Sequence, residues 1–353
     1  MIEPEAERLH KRSTVVEGHR DIFEMFHLWK QGERHPVLKV TVPRLKRANI
    51  STTFYAVCGD SLTHVRGTYR YLNSALENID ALRQEIAASR GEMKLICYRE
   101  DIPSAPTPDT VHFVLSFEGG RPLEGRIENL RNFYCLGLRA MQITWNLRNE
   151  LADGVKEEHT GGGLSQFGKA VVSEMERLGM VIDLAHISRR GWFDVLEVAS
   201  GPVCCSHSNC KKLHHHFRTV DDEQIKALAE TGGVIGVNAI ATMVAAEPTL
   251  EKLVDHICHI AELVGIDHVG LGLDFVKDDG PLYPEDEIFG VGQNKLIPGF
   301  ENEEDLMNIT ECLLKRQFRE DEITKVLGQN FLRVLRQVLK SRDEVDLSLG
   351  LPI

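Results

Sequence analysis

The stretch TVVEGHRDIF, residues 14–23, opens as a buried strand and closes as something else. Thr14, Val15 and Val16 are β-branched, the residue type that suits a pleated, half-buried surface. Where a turn would ordinarily follow, the chain places Glu17, His19, Arg20 and Asp21. Residues two apart on a strand point the same way. His19 and Asp21 can therefore aim into one cavity at the strand's C-terminal end.

Seven more apolar runs of strand length follow: NISTTFYAV (49–57), VHFVLSF (111–117), AMQITW (140–145), MVIDLAH (180–186), PVCCSH (202–207), GVIGVNAI (233–240) and HVGLGLDF (268–275). Most are apolar throughout instead of alternating, as expected of parallel strands buried on both faces. Segments of helical period lie between them, over 72–88, 165–178, 222–231 and 249–264. Asp221 and Asp222 give one of these an acidic start that suits its dipole. Gly179 and Gly265 close two others. Helices are predicted near 302–317, 320–327 and 330–340 after the last strand. Eight strands alternating with helices is the count of an α/β fold of the (β/α)8 TIM-barrel type, with extra helices at the C-terminus. No linker or composition shift divides residues 1–353, so a single barrel domain is expected. A doubly wound open sheet would want a Gly-rich phosphate turn, G-x-G-x-x-G, after an early strand, and none is present. The irregular stretches 146–163 and 276–300 follow the fourth and eighth runs, where barrel active sites are built.

Bulk properties exclude several functions. The chain has 353 residues, 42% of them hydrophobic, enough for a sizeable core. A net charge of −12 argues against nucleic-acid partners and anionic membrane surfaces. No run approaches the ~18 apolar residues of a membrane span, and the polar N-terminus does not read as a signal peptide. Eight scattered cysteines without a C-x-x-C pair suggest reduced thiols and a cytoplasmic protein. Cys204 and Cys205 fall inside a strand and are expected in the core, and the triplet His214–His216 in a solvated loop.

The polar ends of the apolar runs carry the chemistry. The first ends in His19 and Asp21, the third in Glu118, the fifth in His186, the sixth in His207 and the eighth in Asp274. Taken singly, each has an ordinary reading as a turn residue, a helix cap or a hydrogen-bonded histidine. Six at the strand ends of one barrel are hard to explain as surface scatter. The arithmetic suits two metal ions. With Glu118 bridging, one ion takes His19 and Asp21, and the other takes His186 and His207. Each then has three protein ligands and an open position, the pattern of a catalytic zinc site. Two such ions ~3.5–4 Å apart can share one hydroxide.

At these residues the sequence resembles the membrane (renal) dipeptidase family of zinc peptidases, within the amidohydrolase superfamily. The matching stretches include EGHRD (17–21), SFEGG (116–120), LGLRAMQITWN (136–146), VIDLAHIS (181–188), PVCCSHSN (202–209), FRTVDDEQIKAL (217–228), HVGLGLDF (268–275) and GQNFLRV (328–334), in the family's order. The resemblance implies a distorted (β/α)8 barrel with two Zn2+ ions, held by His19, Asp21, His186, His207 and a bridging Glu118. It implies that Asp274 handles the proton and that Arg218 holds the substrate carboxylate. The implied reaction is hydrolysis of small dipeptides, including those with a C-terminal D-residue, by attack of the shared hydroxide. A homodimer is a further implication. The sequence departs from mammalian members at Trp145, which stands where they carry a substrate-contacting histidine, in a form similar to the microbial branch. Thr219 replaces the usual Asn after the arginine. An amidohydrolase of N-acyl amino acids is the alternative on the same site. A non-catalytic binding protein on the barrel would be expected to lack ligands, and all five are present.

Overall fold

The computed structural model describes residues 2–22, 28, 31–61, 70–275 and 296–344. Among the described residues nine strands form one sheet: β1 (Val15–Asp21), β2 (Ile50–Gly59), β3 (Met93–Leu95), β4 (Val111–Glu118), β5 (Leu138–Gln142), β6 (Val181–Asp183), β7 (Cys204–Ser208), β8 (Val234–Val237) and β9 (Val269–Leu271). All ladders are parallel, in the order β1-β2-β4-β5-β6-β7-β8-β9. β9 packs back against β1, which makes a nearly closed barrel of eight strands, as expected. The ninth strand, β3, is additional. It pairs with Val111–Phe113, while β5 begins its pairing only at Leu115. A three-residue strand thus occupies the edge of β4 that β5 leaves open.

Two apolar clusters explain why the strands had to be apolar on both faces. Val16, Phe54, Val114, Ala140, Val181, Cys204 and Val234 form one, together with Phe331, Leu332 and Leu335 of the helix Asn330–Val338. Their neighbours Val15, Tyr55, Phe113, Leu115, Ile182, Cys205 and Ile235 join the other, with residues from the surrounding helices. The period of two sends one set inward and the next outward. That helix therefore plugs the barrel from within. Gly18 allows it: a Cβ there would stand 2.6 Å from the Phe331 ring.

Helices Tyr71–Ala88, Gln166–Leu178, Asp222–Glu230 and Leu250–Val264 match the predicted periods to within a residue or two. Asp221 caps its helix by accepting the N–H groups of Glu223 and Gln224, both at 3.0 Å. Gly179 ends another in the left-handed region, at φ +77°. Helices Pro4–Arg12, Ile127–Leu136 and Arg189–Val198 were not expected from the sequence. Several strands are shorter than predicted; 180–186 yields only Val181–Asp183, because its Leu184–His186 end turns toward the rim. Of the two irregular stretches, 146–163 contains the 3-10 turn Val155–Thr160, and 276–295 lies outside the described residues. No helix among the described residues is long and apolar enough to cross a membrane.

Candidate active site

The C-terminal ends of the barrel strands meet at one rim. His19 and Asp21 leave β1, Glu118 ends β4, His207 lies in β7, and His186 and Asp274 follow β6 and β9. His186 and Asp274 adopt positive φ, +67° and +54°. That left-handed conformation is uncommon for non-glycine residues and concentrates at functional sites.

Their side chains converge. His19 Nε2 is 3.6 Å from Asp21 Oδ1, 3.5 Å from Glu118 Oε1 and 3.9 Å from Asp274 Oδ1. The same Glu118 oxygen is 3.0 Å from His186 Nε2 and 3.8 Å from His207 Nε2. His207 Nε2 reaches Asp274 Oδ2 at 4.0 Å, and the rings of His19 and His207 stack with centroids 3.9 Å apart. Every one of the six residues is buried or nearly so. All six sequence-predicted residues are therefore brought into one cluster, with a Glu118 oxygen facing all three imidazoles.

The far side of each ring is held by a neutral partner. His186 Nδ1 donates to Asn146 Oδ1 at 2.9 Å. His207 Nδ1 meets Ser206 Oγ at 2.8 Å, and Ser206 in turn hydrogen-bonds Asp183. The Gln142 side-chain amide lies 3.3 Å from His19 Nδ1. The acceptors at Nδ1 of His186 and His207 fix the tautomer that presents a lone pair at Nε2, whereas the Gln142 amide nitrogen donates to Nδ1 of His19. Sequence reading passed over Gln142, Asn146 and Ser206. The usable signal was their place beside strand ends already marked by ligand types.

Burial and mutual repulsion perturb the carboxylates. Burial first, and then Asp21 and Asp274, push Glu118 well above the usual carboxylate range. Burial likewise pushes Asp274 up to about 6. Burial opposes charge on His19, but Asp21, Glu118 and Asp274 outweigh it and raise the ring to about 10. His207 is driven far below its ordinary value by burial, with His19, Arg218 and His186 adding to the effect. Three acidic groups in one dry space call for a cation. His19 Nε2 makes no hydrogen bond although it is buried. Donor atoms of His19, Glu118 and His207, and of His19, Asp21 and Asp274, lie close enough together to share an ion. Nitrogen and oxygen donors of this kind fit a divalent metal such as zinc.

Arg218 is buried, and burial lowers its pKa. It donates to the backbone oxygen of His207 at 3.2 Å. It lines a cavity of about 210 Å³ together with His186, Val155, Lys211, His216 and Phe217. Trp145 is buried beside the cluster, its ring 6.0 Å from that of His186. Cys204 and Cys205 are core residues, as expected. The triplet His214–His216 is not wholly solvated: His215 is exposed, but His216 is half-buried and its Nδ1 accepts the Arg218 N–H at 3.2 Å. The cavity beside Arg218 draws it in.

Comparison with known proteins bears on the family and the fold. Residues 3–348 match the model of the membrane dipeptidase family, peptidase family M19. Dipeptidase tcpJ of Claviceps purpurea (strain 20.1) is 29% identical over 271 residues, 76% of this chain. The chain spans about 60% of the length of that curated relative. An amidohydrolase from Pseudomonas aeruginosa superposes with a TM-score of 0.78 at 24% identity, covering 95% of this chain and 99% of its own. A metallo peptidase from Rhodobacter sphaeroides, liganded with a phosphinate mimic of the dipeptide L-Ala-D-Ala, superposes with a TM-score of 0.80 at 21% identity, over 93% and 99%. These two likenesses speak for the fold, and the family match across nearly all of the sequence decides the rest: the chain belongs to the membrane dipeptidase family, peptidase family M19.

Proposed function

We propose that this chain is a dinuclear zinc dipeptidase that hydrolyses small dipeptides, including those with a D-residue at the C-terminal position. The observation that carries the reading is His19 Nε2, buried without a hydrogen bond and facing three carboxylates within 4 Å. His19, Asp21 and Glu118 would hold one ion, and Glu118, His186 and His207 the other. Bound there, zinc supplies a Lewis acid and lowers the pKa of a coordinated water from 15.7 to about 7.

The protein's own groups do the rest. Among the described residues no carboxylate stands within ion-pair distance of Arg218. A buried charge without a counter-charge is costly. The substrate's C-terminal carboxylate supplies that counter-charge, in a geometry a guanidinium can grip with two N–H groups. The grip measures substrate length. Asp274 takes a proton at one carboxylate oxygen and hands it to the leaving amine. Asn238 Nδ2 donates to Asp274 Oδ2 at 3.0 Å and keeps that carboxylate oriented. Trp145 walls the site near His186 and keeps water out. The phosphinate mimic of L-Ala-D-Ala held by the Rhodobacter protein supports tolerance of a D-residue. The eight free cysteines support a reducing, cytoplasmic setting. The test is a panel of L,L and L,D dipeptides and N-acyl amino acids with zinc added, read as released amino acid. Dipeptides are expected to be cleaved, and preferential cleavage of N-acyl amino acids would overturn the reading.

A further inference from the structure

Asp60 lies one residue beyond β2, 8% exposed, on the same rim as the histidines. Its carboxylate is fully used. Oδ1 accepts the Arg121 N–H at 2.8 Å. Oδ2 accepts the Trp145 N–H at 3.2 Å and Asn149 Nδ2 at 2.8 Å. Its own N–H donates to the Glu118 carbonyl at 2.9 Å. One side chain thus joins three segments: the end of β2, the turn Glu118–Arg121, and the loop that begins at Trp145.

The turn is shaped to admit it. Gly119 sits at φ +113°, and a Cβ there would stand 2.2 Å from the Asp60 carboxyl carbon. Only glycine allows both that backbone conformation and that approach. The two segments Asp60 ties together carry separate parts of the cluster. Glu118 supplies the oxygen that faces all three imidazoles. Asn146, next to Trp145, accepts from His186 Nδ1.

We propose that Asp60 is a positioning residue of the metal centre, which sets the spacing between the Glu118 carboxylate and the His186 ring by bracing from one point the backbone of the turn Glu118–Arg121 and that of Trp145, next to the Asn146 that holds His186. This rests on the dinuclear reading above. Hydrogen-bond partners behind metal ligands typically contribute about 10–100-fold in metal affinity or activity. Asp60 acts through backbone, so the spacing of two ligands depends on it together.

The experiment compares zinc affinity, by competition with a chromophoric chelator, and metal-free Tm for the wild type, D60N and D194N. Asn at position 60 turns an N–H2 toward an N–H it should accept from, and the brace fails. The expected result is a loss of zinc affinity of about 10–100-fold in D60N. D194N is the stability control: Asp194 caps the Leu164 N–H at 2.9 Å, away from the cluster, and its loss should lower Tm with zinc affinity unchanged. A purely structural Asp60 would make D60N behave like D194N, and that result overturns the proposal. If D60N does not fold, N149A serves, since it removes one donor from Oδ2. A smaller loss of zinc affinity supports the brace, and unchanged affinity overturns it. A wild type that binds no zinc would instead overturn the dinuclear reading itself.

Discussion

Nε2 of His186 stands 2.8 Å from Nε2 of His207. Each ring is tied at Nδ1 to its own partner, Asn146 for one and Ser206 for the other. With those tautomers both facing nitrogens carry lone pairs. Two lone pairs at that separation need a proton or a cation between them, and burial disfavours protonation of His207.

Metal removal should therefore cost stability as well as activity. A chelated sample is expected to melt at lower temperature, and zinc should restore both Tm and turnover, saturating at two ions per chain. At free zinc 100-fold above its dissociation constant, one site contributes about 2.7 kcal/mol. Thermal melts across a zinc titration check this, and a melt indifferent to zinc would count against the site.

Asp274→Asn keeps size and the chance of a hydrogen bond with Asn238 but cannot take up a proton. Turnover is expected to fall roughly 10²–10⁴-fold, with the fold retained by circular dichroism. Near-normal kcat in this variant would remove Asp274 from proton transfer.

Arg218→Met separates substrate binding from stability. Losing a hydrogen bond to a charged group costs about 1.5–3 kcal/mol, which is read as a roughly 10–150-fold drop in kcat/KM, mostly in KM. The same change removes a buried guanidinium that has no carboxylate within ion-pair distance among the described residues. Metal-free Tm is therefore expected to hold or rise. A variant that lost stability and kept its KM would contradict both halves.

Phe331→Ala opens the floor of the barrel. The ring is fully buried among Val16, Phe54, Val114 and Val234. Truncating a buried Phe costs about 3–5 kcal/mol, to be measured by urea unfolding of the metal-free chain.

Glu174 gives a pH signature remote from the cluster. It accepts from Arg131 Nε at 2.5 Å and from Arg177 Nε and Nη2 at 2.7 and 2.8 Å, which hold its carboxyl down at about 2. A depressed carboxyl stabilises the fold above its unfolded value of about 4.3 and loses that effect as pH falls toward its folded value. The Tm gap between wild type and Glu174→Gln should be full at neutral pH and shrink between about pH 4.3 and 2. A gap constant with pH would refute the ion-pair origin.

The barrel was legible because both faces of its eight strands are buried, which leaves uninterrupted apolar runs such as VHFVLSF. The cluster of candidate ligands was legible because ligand residue types break those runs at one end only. β3 escaped, since Met93–Leu95 is too short to show a period, and Arg189–Val198 escaped because it follows a strand end almost directly. Asp60, Gln142, Asn146 and Ser206 escaped for another reason. For Asp60, Gln142 and Asn146 the contribution is a hydrogen bond made across the rim to a residue far away in sequence, and no local pattern records it; Ser206 bonds its own neighbour His207, a pairing that carries no periodic signal. Trp145 was noticed by resemblance, and its closeness to His186 comes from the loop that Asp60 and Asn149 hold.

The stopper in the barrel floor has a consequence for how the polypeptide is made. β1 leaves the ribosome well ahead of its partners: one flank waits for β9 and its underside waits for Phe331, some three hundred residues later in synthesis. Contacts of such long sequence separation slow folding. The nascent chain must keep these strands from sticking to their neighbours until the helix Asn330–Val338 emerges, which makes that helix the step that commits the barrel to its shape.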